Sequence, residues 1–348
     1  MSVSAPSWSV VATVDEPPAL AQTFVAWHLH LGAERVFLYC DNPDDPVGVL
    51  LGHMPQVRVV RCDDAHWRHL GKSRPRRHQV RQVWNAGEAY ALCSSDWLVH
   101  LDADEFLWPA ESVSALLQTI EPEADAVVLQ VAERVHRPDD PGQTIFEGAF
   151  RRPFRNLPRM GERIFGPDYA LTAGGLTGHT LGKAFVRTGR PVKMSIHRPK
   201  PASGAPDLIM ARPAPDAIEL LHFDGLTPNY WVFKLARMQR ALEKMDGMPP
   251  SAHRRAQADA LMANPDAGDD LYRRMKVADR DLSMLLRRYD LWSAPAFDPR
   301  PALARFFPDV TIDLSPAAFD AWLVANKPAV LSYLSRRNEK GPPKGDPS

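Results

Sequence analysis

Residues 97–106 read Trp-Leu-Val-His-Leu-Asp-Ala-Asp-Glu-Phe, WLVHLDADEF. The first five form a short, mostly apolar run of the kind that makes a strand buried on both faces. Two aspartates separated by one residue, Asp102 and Asp104, follow at once, and then the apolar run Phe106-Leu107-Trp108-Pro109. Like charges held close together between apolar runs are costly to bury without a cation. Hard divalent ions such as Mg and Mn take carboxylate oxygens, so the triplet reads as a metal site at a strand end. The plainer alternative is that both aspartates cap the turn. If the chain stays extended, Glu105 points to the opposite face, toward a helix terminus or a basic side chain.

Working outward, the flanks alternate strand and helix. Trp8–Thr13 is an apolar, β-branched strand, and Asp15-Glu16-Pro17-Pro18 opens a helix. Leu20, Phe24, Trp27 and Leu31 give that helix an apolar face, and Gly32 stops it. Arg35–Cys40 is a second strand, ending in Asp41-Asn42, and Val57–Arg61 a third. Pro75–Cys93 reads as a helix with Val80, Val83, Gly87, Tyr90 and Ala91 inward, and Ala126–Val131 as the strand after WLVHL. This order predicts an α/β fold, a mainly parallel sheet with helices on both faces. In such a sheet the acidic turns Asp15-Glu16, Asp41-Asn42 and Asp102-Ala103-Asp104 converge on the carboxyl edge, where ligands bind.

Residues 132–182 read as irregular and rich in Arg, Pro and Gly. Strands return at Lys183–Arg187, Val192–His197 and Ile218–Phe223, and the pattern is helical from Tyr230 to about residue 335. The charged, Pro- and Gly-rich tail, 336–348, is expected to be disordered.

Of the 348 residues, 45% are hydrophobic and 24% charged, with 42 basic against 42 acidic side chains. That balance argues against nucleic-acid binding and against general attraction to an anionic membrane. Cys40, Cys62 and Cys93 are too few for a disulfide framework and read as reduced thiols. With no signal peptide and no run of roughly 18 apolar residues, the expectation is a cytoplasmic protein that reaches a lipid-linked acceptor, if it uses one, by peripheral contact.

Taken together, these segments resemble family 2-like and family 92-like glycosyltransferases. WLVHLDADEF-LWP, preceded by a helix carrying Gln79 and Gln82, is similar to their DxDEF segment. His28 and Gly32 keep a His-x-x-x-Gly spacing, and VFLYCDN (Val36–Asn42) supplies the following strand and Asp-Asn. Val14-Asp15-Glu16 replaces the usual Lys-Asn-Glu turn. Lys183 to Arg187 with His197 resembles a Lys-x-x-x-Arg, strand, His element, and His222-Phe223-x-Gly225 a closing His-x-x-Gly element. The match spans roughly residues 8–240.

The resemblance implies a GT-A domain over 1–240, a helical extension over 241–335, a UDP- or GDP-type nucleotide-sugar donor and a Mn or Mg cofactor. Under it, Asp104 is the main metal ligand and His222 completes the site. Asp102 touches the metal or the donor, and Asp15, Glu16 and Asp41 lie near the nucleoside. Lys183 and His197 are candidates for the diphosphate. The basic stretch Arg68–Arg81 reads either as a solvated helix face or as an anion contact at a helix N-terminus. Trp108, Tyr230 and Trp231 are core aromatics or sugar-stacking rings. Inversion requires a carboxylate base, for which Glu162 and Asp168 are the candidates. The expected function is metal-dependent sugar transfer to a hydroxyl of a glycan or lipid-linked acceptor. A nucleotidyltransferase is the rival enzyme, disfavoured by the absence of glycine from Val10–Pro18. A non-catalytic sugar-nucleotide or partner-binding module is the rival outside enzymes.

Overall fold

The computed structural model describes residues 5–140, 142–154, 158–243, 250–264 and 267–328. The tail expected to be disordered, 336–348, lies outside the described residues.

The chain begins β1 (Trp8–Val14), α1 (Pro18–His30), β2 (Arg35–Cys40), α2 (Val47–Leu51), β3 (Val57–Arg61), α3 (Asp64–His69), α4 (His78–Leu92) and β4 (Trp97–His100). β5 (Glu105–Pro109), α5 (Val113–Gln118), β6 (Ala126–Val135), β7 (Ala149–Arg151), α6 (Pro158–Phe165) and β8 (Lys183–Arg187) follow. After the short strands β9 (Val192–Lys193), β10 (Lys200–Pro201) and β11 (Met210–Ala211) comes β12 (Ile218–His222). The rest is mainly helical: α7 (Pro228–Glu243), α8 (Ala252–Ala263), α9 (Gly268–Lys276), α10 (Arg280–Arg288), then β13 (Trp292–Ser293), α11 (Arg300–Phe306) and α12 (Pro316–Asn326).

The described residues form two compact units, the first from those within 1–132, 181–222 and 298–312, the second from those within 133–180 and 223–297 and from 313 onward. They do not follow the expected cut at residue 240: residues 133–180 and 223–240 group with the helical part, and 298–312 joins the first unit.

The first unit is mixed α/β with a mostly parallel sheet. β3, β2, β1 and β4 lie side by side in that order, all parallel. β8 pairs antiparallel with β4, and β6 antiparallel with β8. The order explains where a ligand would sit. The chain moves outward from β1 to β2 to β3, then returns to place β4 on the other side of β1. Strand order reverses between β1 and β4, and a crevice at such a switch point is where open α/β sheets bind ligands. Asp15 follows β1 and Asp102 follows β4, so the acidic turns flank that point.

β1 and β4 are buried along their whole length, as strands covered on both faces must be. α1 is buried nearly all round, not along a single stripe; Leu31 is only half-buried. Gly32 ends it with φ 94° and an N–H to the Leu29 carbonyl at 3.1 Å, as its position predicts. α4 departs from expectation: it starts at His78 rather than Pro75, and the wholly buried face carries Arg81, Gln82, Asn85, Ala86 and Ala89 instead of Val80, Val83 and Tyr90. The polar ends of the strands above it supply the partners that make a polar inner face stable. β9 stops at Lys193, so His197, expected at the end of a strand, lies beyond it.

In the second unit, β6, β7 and β13 pair antiparallel. One core packs Val135, Ala149, Leu286 and Trp292 together, and another Trp231, Leu235, Leu261, Leu271 and Tyr272. The segment expected to be irregular is thus a continuation of β6, then β7, α6 and a 3-10 turn over Gly166–Leu171. No helix among the described residues is long and apolar enough to cross a membrane.

Candidate functional site

The chain leaves β4 through a tight turn. The Glu105 N–H donates to the Asp102 carbonyl at 3.0 Å, and the Asp102 N–H donates to the Glu105 Oε2 at 2.7 Å. The turn, rather than an extended chain, sets where the side chains go. It brings Glu105 to the same basic residue as Asp102, although strict alternation places it on the opposite face. That basic residue is Lys183, the first of β8. The β4–β8 register pairs Val99 with Phe185, which carries Lys183 level with the residue before Asp102. The Lys183 Nζ lies 3.0 Å from the Asp102 Oδ2 and 3.2 Å from the Glu105 Oε2. Both Lys183 and Glu105 side chains are wholly buried. Burial alone would lower the Lys183 pKa, yet the two carboxylates hold it above the ordinary lysine value. Gln82 from α4 completes the Asp102 environment, its Nε2 donating to Oδ1 at 2.6 Å.

Asp104 goes elsewhere. It is 3% exposed, and its Oδ1 lies 3.8 Å from the Nε2 of His222, itself 4% exposed at the end of β12. β12 pairs antiparallel with β5 so that His222 is opposite Glu105, one residue beyond Asp104. The sequence separation of this pair is bridged by that hairpin-like pairing. Two metal bonds of about 2.1 Å reach across a ligand spacing of up to about 4.2 Å, so an oxygen and a nitrogen 3.8 Å apart fit one divalent ion. A buried carboxylate beside an imidazole is also the donor set that Mn accepts.

α4 ties the three acidic strand ends together from one face. Besides Gln82 on Asp102, Arg81 grips Asp41 with Nε on Oδ1 and Nη2 on Oδ2, both at 2.6 Å. Asn85 donates from Nδ2 to the Thr13 Oγ1 at 3.0 Å, and its Oδ1 meets the His66 Nε2 at 2.9 Å. Asp41 is also met by Arg74 at 3.1 Å and by the His78 Nδ1 at 3.4 Å. Burial pushes its carboxyl up, but His78 and Arg81 outweigh this and hold it well below the usual range. Asp41 therefore anchors the loop after β2 through Arg81. The basic stretch Arg68–Arg81 is split by this contact: Arg81 is buried and paired, while Arg68, Arg76 and Arg77 stay exposed.

The other expected site residues divide between the units. Asp15 and Glu16 are half-buried after β1, where the Glu16 Oε2 accepts from the Asp15 N–H at 2.7 Å. The His197 Nδ1 meets the Gly182 carbonyl at 3.1 Å, next to Lys183. Glu162 and Asp168 belong to the second unit. Glu162 is exposed on α6, and Asp168 Oδ2 lies 3.3 Å from Arg274 Nε. Trp108 stacks on Trp27 at 5.9 Å and 8°, and Tyr230 and Trp231 are buried in the second unit.

Two buried histidines also lie in the first unit: His28, noted for its spacing to Gly32, and His100, which the sequence did not single out. His28 Nδ1 donates to the Phe24 carbonyl at 2.8 Å, and His100 Nδ1 to the Ser195 carbonyl at 3.1 Å. The Nε2 of each is buried without a hydrogen-bond partner among the described residues. Burial lowers both to about 4; at His28 the hydrogen bond to the Phe24 carbonyl and the Glu105 charge oppose it, while at His100 the Lys183 charge adds to it. Each is therefore a neutral imidazole at pH 7, packed behind the Asp102–Glu105 turn by Phe106 and by the start of β8.

No protein-family model matches the chain, and no curated protein does. Among solved structures it is similar to the crystal structure of HddC from Yersinia pseudotuberculosis. The identity is 8%, over 63% of this chain and 77% of that one, and the TM-score of 0.27 is too low to carry an argument.

Proposed function

We propose that the chain is a metal-dependent glycosyltransferase of GT-A type that takes a UDP- or GDP-type nucleotide sugar as donor. The observation that carries the reading is the buried Asp104–His222 pair, 3.8 Å apart, in the unit whose strand order reverses beside Asp102. In this reading Asp104 and His222 hold a Mn or Mg ion. Bound there, the ion neutralises the donor diphosphate as it leaves. Lys183 holds Asp102 in place through the ion pair at 3.0 Å, so the Asp102 carboxylate is fixed for a donor hydroxyl or for the ion. Arg81 fixes the loop after β2 in the same way, and Asp15 and Glu16 mark the side on which the nucleoside rests. The acceptor is a glycan or lipid-linked hydroxyl, and inversion requires a carboxylate base to take its proton.

A thermal-shift panel of nucleotide sugars, with and without Mn, tests this. The reading predicts that one UDP- or GDP-sugar raises the melting temperature only when Mn is present, and that Asp104→Ala and His222→Ala each abolish the rise. A shift that survives both substitutions contradicts it. Donor binding without turnover on any acceptor favours the binding-module alternative instead.

A further inference from the structure

Residues 65–87 carry six cations, Arg68, Lys72, Arg74, Arg76, Arg77 and Arg81, and no carboxylate, in a chain whose charges cancel as a whole. Folding makes this segment one surface of the first unit. α3 ends against α4, where the His69 Nε2 lies 3.4 Å from the Glu88 Oε1. The loop between the two helices is pinned from beneath. The Arg81 Nη1 donates to the Pro75 carbonyl at 2.9 Å and to the Arg76 carbonyl at 2.7 Å. Asp41 pairs with Arg74 and Arg81. The other four cations, Arg68, Lys72, Arg76 and Arg77, are exposed. The carboxylates that bracket the segment do little to offset them. Asp64 lies at the opposite end of α3 from Arg68, and Glu88 is half-buried and accepts from the Tyr39 hydroxyl at 2.7 Å.

The outer side of α4 adds apolar surface beside these cations. Val80, Trp84 and Leu92 share one side of the helix, away from the buried Arg81, Gln82 and Asn85. Trp84 is 38% exposed and Leu92 45%. The Lys72 Nζ stands 4.8 Å from the centre of the Trp84 ring. An indole and an aliphatic side chain next to a cluster of cations match the layered chemistry of a bilayer surface. The ring sits at the headgroup level, the aliphatic group meets the acyl boundary, and the cations meet lipid phosphates. A nucleic-acid backbone complements the cations but offers Leu92 and Val80 no apolar layer.

We propose that the basic segment Arg68–Arg77 and the outer side of α4 dock on an anionic lipid bilayer. The inner side of the same helix holds Asp41 and Asp102 through Arg81 and Gln82, so α4 stands between the bilayer and the acidic turns. Delivery of a lipid-linked acceptor to those turns rests on the reading given under Proposed function; the docking itself does not.

Co-sedimentation of the full chain with vesicles, without Mn or nucleotide, tests the proposal. The chain is expected to bind phosphatidylcholine vesicles that contain phosphatidylglycerol, to come off them as salt is raised, and to leave vesicles of phosphatidylcholine alone unbound. Arg76→Gln combined with Arg77→Gln is expected to weaken binding about tenfold or more, since each cation near a charged surface accounts for about fivefold. Trp84→Ala is expected to weaken it several-fold, and Trp84→Phe to restore most of the loss. Melting temperatures are read alongside, so that a variant that fails to fold is set aside and the others decide. The proposal is overturned if the chain does not bind phosphatidylglycerol vesicles, if it binds both vesicle types equally, or if the folded variants bind as the parent does. Tighter binding to duplex DNA than to the vesicles, or a dimer in sedimentation velocity that Trp84→Ala dissolves, assigns the surface to another partner and overturns it equally. Donor shifts with Mn on the parent chain separate the two ideas. A donor shift without vesicle binding removes the docking surface alone; vesicle binding without a donor shift removes the donor reading and leaves the surface standing.

Discussion

Lys183 is the residue on which the Asp102–Glu105 turn depends. Glu105 is wholly buried, and removing its counter-ion leaves an uncompensated charge in the interior. Lys183→Met is therefore expected to cost roughly 3–5 kcal/mol, read by urea unfolding. Glu105→Leu in the same background should recover part of that. An unchanged midpoint for Lys183→Met would show that the ion pair does not hold the turn. The buried histidines make a prediction about pH. His28 and His100 titrate near 4 in the folded state, against about 6.5 when exposed. Below about pH 6.5 the unfolded imidazoles take up protons first, so stability is full above that value and falls as the pH drops toward 4. Each histidine accounts for up to roughly 3 kcal/mol of that loss. Unfolding titrations at pH 7 and pH 5 should show a smaller difference for His28→Gln and for His100→Gln than for the parent chain. At this scale the sequence was only partly legible. Asp102, Asp104 and Lys183 stand out because charged residues beside apolar strands need partners. His28 stood out only for its spacing to Gly32, and His100 not at all, because a histidine inside an apolar run reads the same whether or not its second nitrogen is satisfied.

At the scale of the element, α4 and β8 do the positioning. Arg81, Gln82 and Asn85 lie on one face of α4 and reach the ends of β2, β4 and β1 in turn. Reading that helix for apolar spacing selected Val80 and Val83 and missed the polar face, since a buried polar stripe is invisible until its partners are known. β8 starts at a strained point. Gly182 has φ 68°, and a Cβ there would overlap the Leu129 carbonyl. Gly182→Ala is expected to destabilise by roughly 3 kcal/mol and to displace Lys183 from its carboxylates. The check is an unfolding curve together with donor binding, and a neutral outcome in both would mean the backbone at the start of β8 relaxes freely. Strand boundaries were well marked where β-branched runs met acidic turns: β2 and β3 match their expected ends. The strand expected to end at His197 stops at Lys193, because residues 194–197 lack a strand to pair with.

At the scale of the molecule, the first unit follows from the alternation of short buried strands and helices, and its strand reversal places the acidic turns at one edge. In the second unit the helical pattern from Tyr230 onward was legible, but the strands and turns within residues 132–182 were not. Its helices alternate charged and apolar residues without a motif, and its boundaries depend on pairing between β6 and β7 across residues that read as irregular. The charge balance of 42 against 42 fits a protein whose ligand contacts are local rather than global. The proposed function needs one centre, a divalent ion shared by the Asp104 carboxylate and the His222 imidazole, whose donor atoms lie 3.8 Å apart. Isothermal titration of Mn into the chain in the presence of UDP or GDP examines that centre directly. One Mn per chain is predicted, with binding weakened about a hundredfold or more in Asp104→Asn and in His222→Ala while Asp41→Asn keeps it. Equal Mn affinity in Asp104→Asn and in the parent chain would contradict the account.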